Sequence, residues 1–210
     1  MRSLFSKEKW SHLFYTVSHP ADGYYWIRHQ EKGSIPIAVL LVLLYGIAFS
    51  MNRICASFIV NDIEPRTVNL AAELAGVVLL YFILCVGNWS VTCLMEGEGR
   101  FKDILIAVGY AMLPMLVATV LATIVSQFIA ENEEAFYTIL IGIGTAYTVI
   151  LLIMGIMQIH NFTMGKTLVT MFLTLVAMLI LIFLALLVLN FITQVYSFLR
   201  GIYTELIFRF

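Results

Sequence analysis

Five uncharged, strongly apolar runs, 35–52, 74–95, 104–130, 135–159 and 167–199, constrain this chain more than any other feature. A helix needs about 20 apolar residues to cross a bilayer, so the first run is marginal and the other four suffice. The fifth would extend about 50 Å as a helix, well beyond the hydrocarbon core. It must tilt or project, and Asn190 and Gln194 mark where it is expected to emerge. With 61% hydrophobic and 12% charged residues, the chain carries more apolar surface than a soluble domain of 210 residues can hide. The expected fold class is an all-α integral membrane protein, a bundle of five transmembrane helices solvated by the lipid bilayer. Residues 1–34 precede this 35–210 membrane domain as an N-terminal interfacial helical segment.

The stretch 96–115 joins a short charged loop to the third run without a break. Inside it lie two residue types that weaken helices, Gly109 and Pro114. Proline has no N–H and crowds the carbonyl four residues back, here that of Tyr110. One reading is a kinked helix with a freed carbonyl at Tyr110 and a bare surface at Gly109. The other is that Gly and Pro are simply common in transmembrane helices. Asn88 lies near the matching depth on the preceding antiparallel run, about 10 Å from the inner end. It is expected to satisfy the freed carbonyl or the Tyr110 hydroxyl, to bond within its own helix, or to line a wet crevice. Gly142 with Ala146, and Ala107 with Ala111, have the spacing that lets membrane helices approach closely.

Before the first run, Trp10, Leu13, Phe14 and Val17 share one helical face, with Lys7, Lys9 and Ser11 turned away. This pattern predicts a helix over 4–17 lying in the membrane interface. His19-Pro20 breaks it. A second short helix starting at Pro20 would place Tyr24, Tyr25 and Trp26 at headgroup depth as an aromatic anchor.

Basic residues orient the spans. With the N-terminus inside, the inner segments hold Arg2, Lys7, Lys9, Arg28, Lys32, Arg100, Lys102 and Lys166. The outer ones hold Arg53, Arg66, Arg200 and Arg209. This distribution favours a cytoplasmic N-terminus and an outer C-terminus, in a plasma (inner) membrane. Glu73 is placed to pair with Arg53 or Arg66 near the outer surface.

Soluble-site chemistry finds little support. The loops are short, and no H-E-x-x-H, G-x-S-x-G or phosphate-binding glycine loop occurs. Gly97-Glu98-Gly99 follows no strand and reads as a tight turn between helices. His12, His19, His29 and His160 lack metal-ligand spacing, and Cys55, Cys85 and Cys93 read as small buried hydrophobes. No basic tract suggests nucleic acid. No enzyme activity, cofactor or metal is expected.

The run Gly109-Tyr110-Ala111-Met112-Leu113-Pro114-Met115, early in the third of five spans, resembles the Ypt-interacting protein (Yip) domain family. The likeness extends through the SHPADGYYWI segment and the pattern of five runs, and is greatest to bacterial members. It implies a membrane-embedded adaptor; eukaryotic members associate with Rab-type GTPases and with one another in vesicle traffic. This chain lacks their long cytosolic domain with its Asp-Leu-Tyr-Gly-Pro-like motif, so the resemblance carries over the scaffold and not the trafficking role. The expected function is a non-enzymatic adaptor or scaffold that binds other membrane proteins or itself. Trp10, Tyr24, Trp26, Arg100 and Lys102 are its expected docking residues. The alternative is a small-solute permease or an accessory subunit of an ABC-type transporter, which would need a polar path between the spans.

Overall fold

A computed structural model describes residues 7–61 and 63–209. The expected helix over 4–17 therefore begins partly outside the described residues, as do Arg2 and the side chain of Arg209. Within them the chain forms α1 (Lys7–Ser18), α2 (Pro20–Gln30) and five long helices. These are α3 (Ile35–Cys55), α4 (Leu70–Leu94), α5 (Phe101–Val125), α6 (Glu134–His160) and α7 (Met164–Arg209). All five are long and apolar enough to cross a membrane, so the all-α bundle of five spans stands.

Boundaries differ from the uncharged runs for local reasons. The marginal first run gains a turn and becomes a 21-residue helix that takes in Arg53. Helix α4 starts before its charge: Asn69 caps it, its side chain accepting from the Ala72 N–H at 3.2 Å. Glu73 then lies in the first turn, where the helix dipole favours an acid. Asn161, left-handed at φ 54°, ends α6.

Helix α5 is the axis. It packs against α3 on one side and α6 on the other, while α4 bridges α3 to α7. The α3–α5 approach is set by Gly109, where an added Cβ would lie 2.6 Å from Ala38 Cβ and 2.9 Å from its Cα. The α5–α6 approach is set by Gly144, which faces Ala118. Gly142, the expected packing glycine, meets nothing within 4 Å. Sequence spacing cannot tell which of two glycines, two residues apart, faces a neighbour.

The α1–α2 hairpin is part of the same core and not a separate layer. Leu13, Tyr24 and Ile27 are buried together with Ile37, Ala38, Ala107, Tyr110 and Leu151. The two helices touch through Gly23, which lies against Thr16. The Tyr147 hydroxyl donates to the Val17 carbonyl at 2.6 Å, pinning the hairpin to α6. This end of the bundle is called the N-terminal face below, and the opposite end the far face.

Helix α7 is the exception to compactness. It is 46 residues long, and from Phe183 to Phe208 every residue is exposed. At 27 residues α6 is much the shorter, so a helix doubling back along it from Met164 would match its length near Asn190 and leave roughly 30 Å of α7 beyond. Asn190 and Gln194 fall close to that level, but the helix does not end there. No Pro or Gly occurs between Gly165 and Gly201 to break it.

Candidate docking face

The N-terminal face is built on the start of α5. Asp103, in the first turn, is 1% exposed. Arg100 forks onto it, Nε donating to Oδ2 at 2.8 Å and NH2 to Oδ1 at 3.4 Å. That pairing, led by the Asp103 hydrogen bonds, raises the Arg100 pKa. Arg28 of α2 stands 4.0 Å from the same carboxylate and donates to the Glu98 carbonyl. A buried carboxylate needs such partners, since an isolated charge there would be very costly.

Above this sits a looser latch. Glu31, left-handed at φ 52° just past α2, accepts from Lys102 Nζ at 2.7 Å and from Arg100 NH1 at 2.9 Å. The Lys102 hydrogen bond, then that of Arg100, holds its carboxyl below the usual range. All three side chains are well exposed, so solvent screens these pairs and they add little to stability.

The loop between α4 and α5 folds over His160. The Gly99 N–H donates to His160 Nδ1 at 3.1 Å. A Cβ at Gly97 would lie 2.5 Å from that nitrogen, and one at Gly99 would lie 2.6 Å from His160 Cε1. These glycines therefore serve close approach, not turn conformation: neither has positive φ, and the left-handed residue is Glu96.

Between α1 and the end of α2 lies a groove of about 1290 Å³, partly open. An aromatic ladder forms one wall. His19 stacks on Tyr15 at 4.8 Å, and Tyr15 on Trp26 at 4.9 Å with only 9° between planes. Lys32 Nζ sits 4.1 Å from the Trp26 ring centroid, within cation–π range. Lys7, Glu8 and Lys9 add charge to the lining. His12 is buried beside the groove. Burial first, then Lys32, pushes its pKa down to about 4.

The expected docking residues divide. Trp26 lines the groove; Trp10 packs half-buried against the core. Arg100 and Lys102 lie on this face but are already paired to Asp103 and Glu31. Tyr24 departs from expectation: it is 0% exposed, with its ring against Gly155 and its hydroxyl directed at the Ala107 carbonyl, 3.4 Å away. It is a core residue and presents nothing to a partner. Tyr15, central to the ladder, was not singled out from sequence. Its i, i+4 spacing to His19 is the signal that could have found it.

The Asn88 expectation is also corrected. Asn88 Nδ2 donates to Thr174 Oγ1 of α7 at 3.1 Å, not to the turn before Pro114. Tyr110, wholly buried, instead accepts the Ser34 N–H at 3.1 Å and so satisfies a donor at the start of α3. Glu73 pairs with Arg53 at 2.7 Å, one of the two partners expected for it.

The family model for the Yip1 domain matches residues 14–199, from within α1 to the exposed part of α7. No curated protein and no solved structure matches the chain.

Proposed function

From its membership of the Yip1 domain family, to which this multi-pass membrane protein belongs, we propose that the chain is a non-enzymatic membrane adaptor. Its partners are other membrane proteins or further copies of itself, and they dock on the N-terminal face. The carrying observation is the groove between α1 and α2, walled by the Tyr15–Trp26 stack and fixed to the bundle core through Leu13, Tyr24 and Ile27. Rigid aromatic anchors with a charged rim are what binding hot spots are made of. The exposed Glu31 latch adds an exchangeable element, since a partner's carboxylate can replace Glu31 on Arg100 and Lys102 at small cost. In the orientation set by the basic residues, this face is cytoplasmic and the C-terminus lies outside the plasma (inner) membrane.

The competing reading, a permease, requires a polar path from face to face. Beneath the far half of the bundle, Cys85, Ile104, Val108 and Ile156 pack as an apolar cluster that such a path would have to cross. One experiment separates the two. A photo-crosslinking residue at Gln30, on the groove rim, is compared with one at Phe183 on the lipid-facing side of α7, in native membranes. The adaptor reading expects a discrete partner from Gln30 that Tyr15→Ala/Trp26→Ala abolishes, and no solute flux into liposomes containing the purified protein alone. Flux into those liposomes overturns it.

A further inference from the structure

A second recess opens toward the far face, with all five spans contributing to its walls, and has a volume of about 640 Å³. On α3 its lining runs from Arg53 down to Val42, and on α4 from Glu73 down to Leu84. Both paths descend about 16 Å, close to the roughly 15 Å thickness of one leaflet's hydrocarbon. The walls are apolar apart from the mouth and a few hydroxyls; Phe49, Leu80 and Met112 are typical. The floor is closed. The Tyr81 hydroxyl donates to the Leu105 carbonyl at 2.8 Å, and the Cys85–Ile156 cluster packs below it. The recess is blind and one leaflet deep.

Its mouth is an ion pair with unused capacity. Arg53 NH1 and Glu73 Oε1 meet at 2.7 Å, while Arg53 Nε and Glu73 Oε2 are buried and without partners. Thr148 Oγ1, on the recess wall, is unpartnered too. A buried donor and acceptor left open at the membrane boundary each cost free energy. The donor requires an acceptor and the acceptor requires an N–H or O–H, on a ligand whose apolar part fills the recess.

We propose that the recess holds one acyl chain of an aminophospholipid from the far-face leaflet, its phosphate on Arg53 and its ammonium on Glu73. The pair is neutral overall, so a zwitterionic headgroup complements it better than an anionic one. A choline headgroup offers no hydrogen to Glu73 Oε2; an ethanolamine headgroup offers three. This site lies at the opposite end from the docking face and does not depend on the adaptor reading.

The test uses full-length protein exchanged in mixed micelles with equimolar phosphatidylethanolamine, phosphatidylcholine and phosphatidylglycerol of identical chains. Retained lipid is then counted by native mass spectrometry. One phosphatidylethanolamine per chain is expected, preferred about tenfold over either competitor, as befits one charge-assisted hydrogen bond. Glu73→Gln should remove the preference over phosphatidylcholine. That variant breaks a half-buried pair, so a second one leaves the pair intact. Gly76 lines the recess and a Cβ there meets nothing within 4 Å. Gly76→Trp should fill the space and abolish retention without lowering thermal stability. Equal retention of the three lipids, preference for phosphatidylglycerol, or undiminished retention by Gly76→Trp overturns the proposal.

Discussion

Replacing Gly109 by alanine adds one methyl group at the tightest contact of α5 with α3. In an isolated helix this change is favourable, by about 0.5–1 kcal/mol, because glycine loses more backbone entropy on folding. Here the new Cβ would sit 2.6 Å from Ala38 Cβ and 2.9 Å from the Ala38 Cα and carbonyl oxygen. Backbone atoms cannot swing aside like the end of a flexible side chain, so α3 must retreat by about 1 Å to restore a normal carbon contact of about 3.5–4.0 Å. That retreat loosens the packing around Ile37, Ala38 and Leu41 and stretches the Ser34–Tyr110 hydrogen bond. Overpacking of this kind costs about 1–3 kcal/mol, which exceeds the helical gain. The expected net loss for Gly109→Ala is therefore about 1–2 kcal/mol, read as a lower midpoint in reversible denaturant unfolding from micelles. Gly142→Ala is the internal control: nothing lies within 4 Å of its added Cβ, so it should be neutral or stabilising by up to about 1 kcal/mol. If Gly109→Ala proves as stable as Gly142→Ala, the close approach of α3 and α5 is wrong, and the role of Gly109 with it.

Asn88 and Thr174 should couple weakly. A double-mutant cycle with Asn88→Leu and Thr174→Val is expected to give about 0.6 kcal/mol and no more than about 1.7, the range for hydrogen bonds between membrane helices. Coupling of Asn88 to Tyr110 instead would return Asn88 to the Pro114 turn. Acid should loosen the α1–α2 hairpin. His12 titrates near 4 when buried, against an ordinary 6.5, so a detached hairpin binds the proton first and stability falls as pH drops from about 6.5 toward 4. Each pH unit in that window removes up to about 1.4 kcal/mol. The charged and titratable groups that line the same groove are Lys7, Glu8, Lys9 and Tyr15 on α1 and His29 on α2, with Glu31 and Lys32 just beyond it. Tryptophan fluorescence reporting on the Tyr15–Trp26 stack should follow the loosening, and His12→Gln should flatten the profile. An unchanged profile would mean that His12 is not the group responsible.

Height along the membrane normal was legible in the sequence; azimuth was not. Run length places each residue at an approximate depth along its helix. Which way each side chain points around its helix is a different question, because these spans are apolar on every side. In water a buried face differs in composition from an exposed one. In lipid both are Leu, Ile and Val, so the sequence gives no sign that Asn88 turns toward α7 or that Gly144, not Gly142, meets α5. The N-terminal hairpin departs from expectation at Tyr24. Its aromatic cluster reads as an interfacial anchor, yet α6 offers Gly155 opposite Tyr24, and the space left by that missing side chain admits the ring to the core. Arg53 with Glu73 was legible because charges are scarce near the spans, and few partners could reach either one.

The same absence of a hydrophobic drive between spans bears on α7. Lipid is as apolar as leucine, so a membrane helix is held by close packing and polar contacts. Helices α3, α5 and α6 have both: a glycine seats each neighbouring pair, the Glu31 latch ties α5 to the hairpin, and the Tyr147–Val17 hydrogen bond ties α6 to it. Helix α7 meets the others along a narrow stripe of Thr167, Thr170, Thr174 and Met178, with Gly87 opposite and the Asn88–Thr174 hydrogen bond its one side-chain tie to another span among the described residues. Thr167, Thr170 and Thr174 each donate to a carbonyl four residues back in the chain, so their hydroxyl protons are spent at home. Past Ile182 every residue to Phe208 is exposed. Lifting α7 away therefore costs the least of any span, while its long exposed flank offers a neighbouring helix the largest surface.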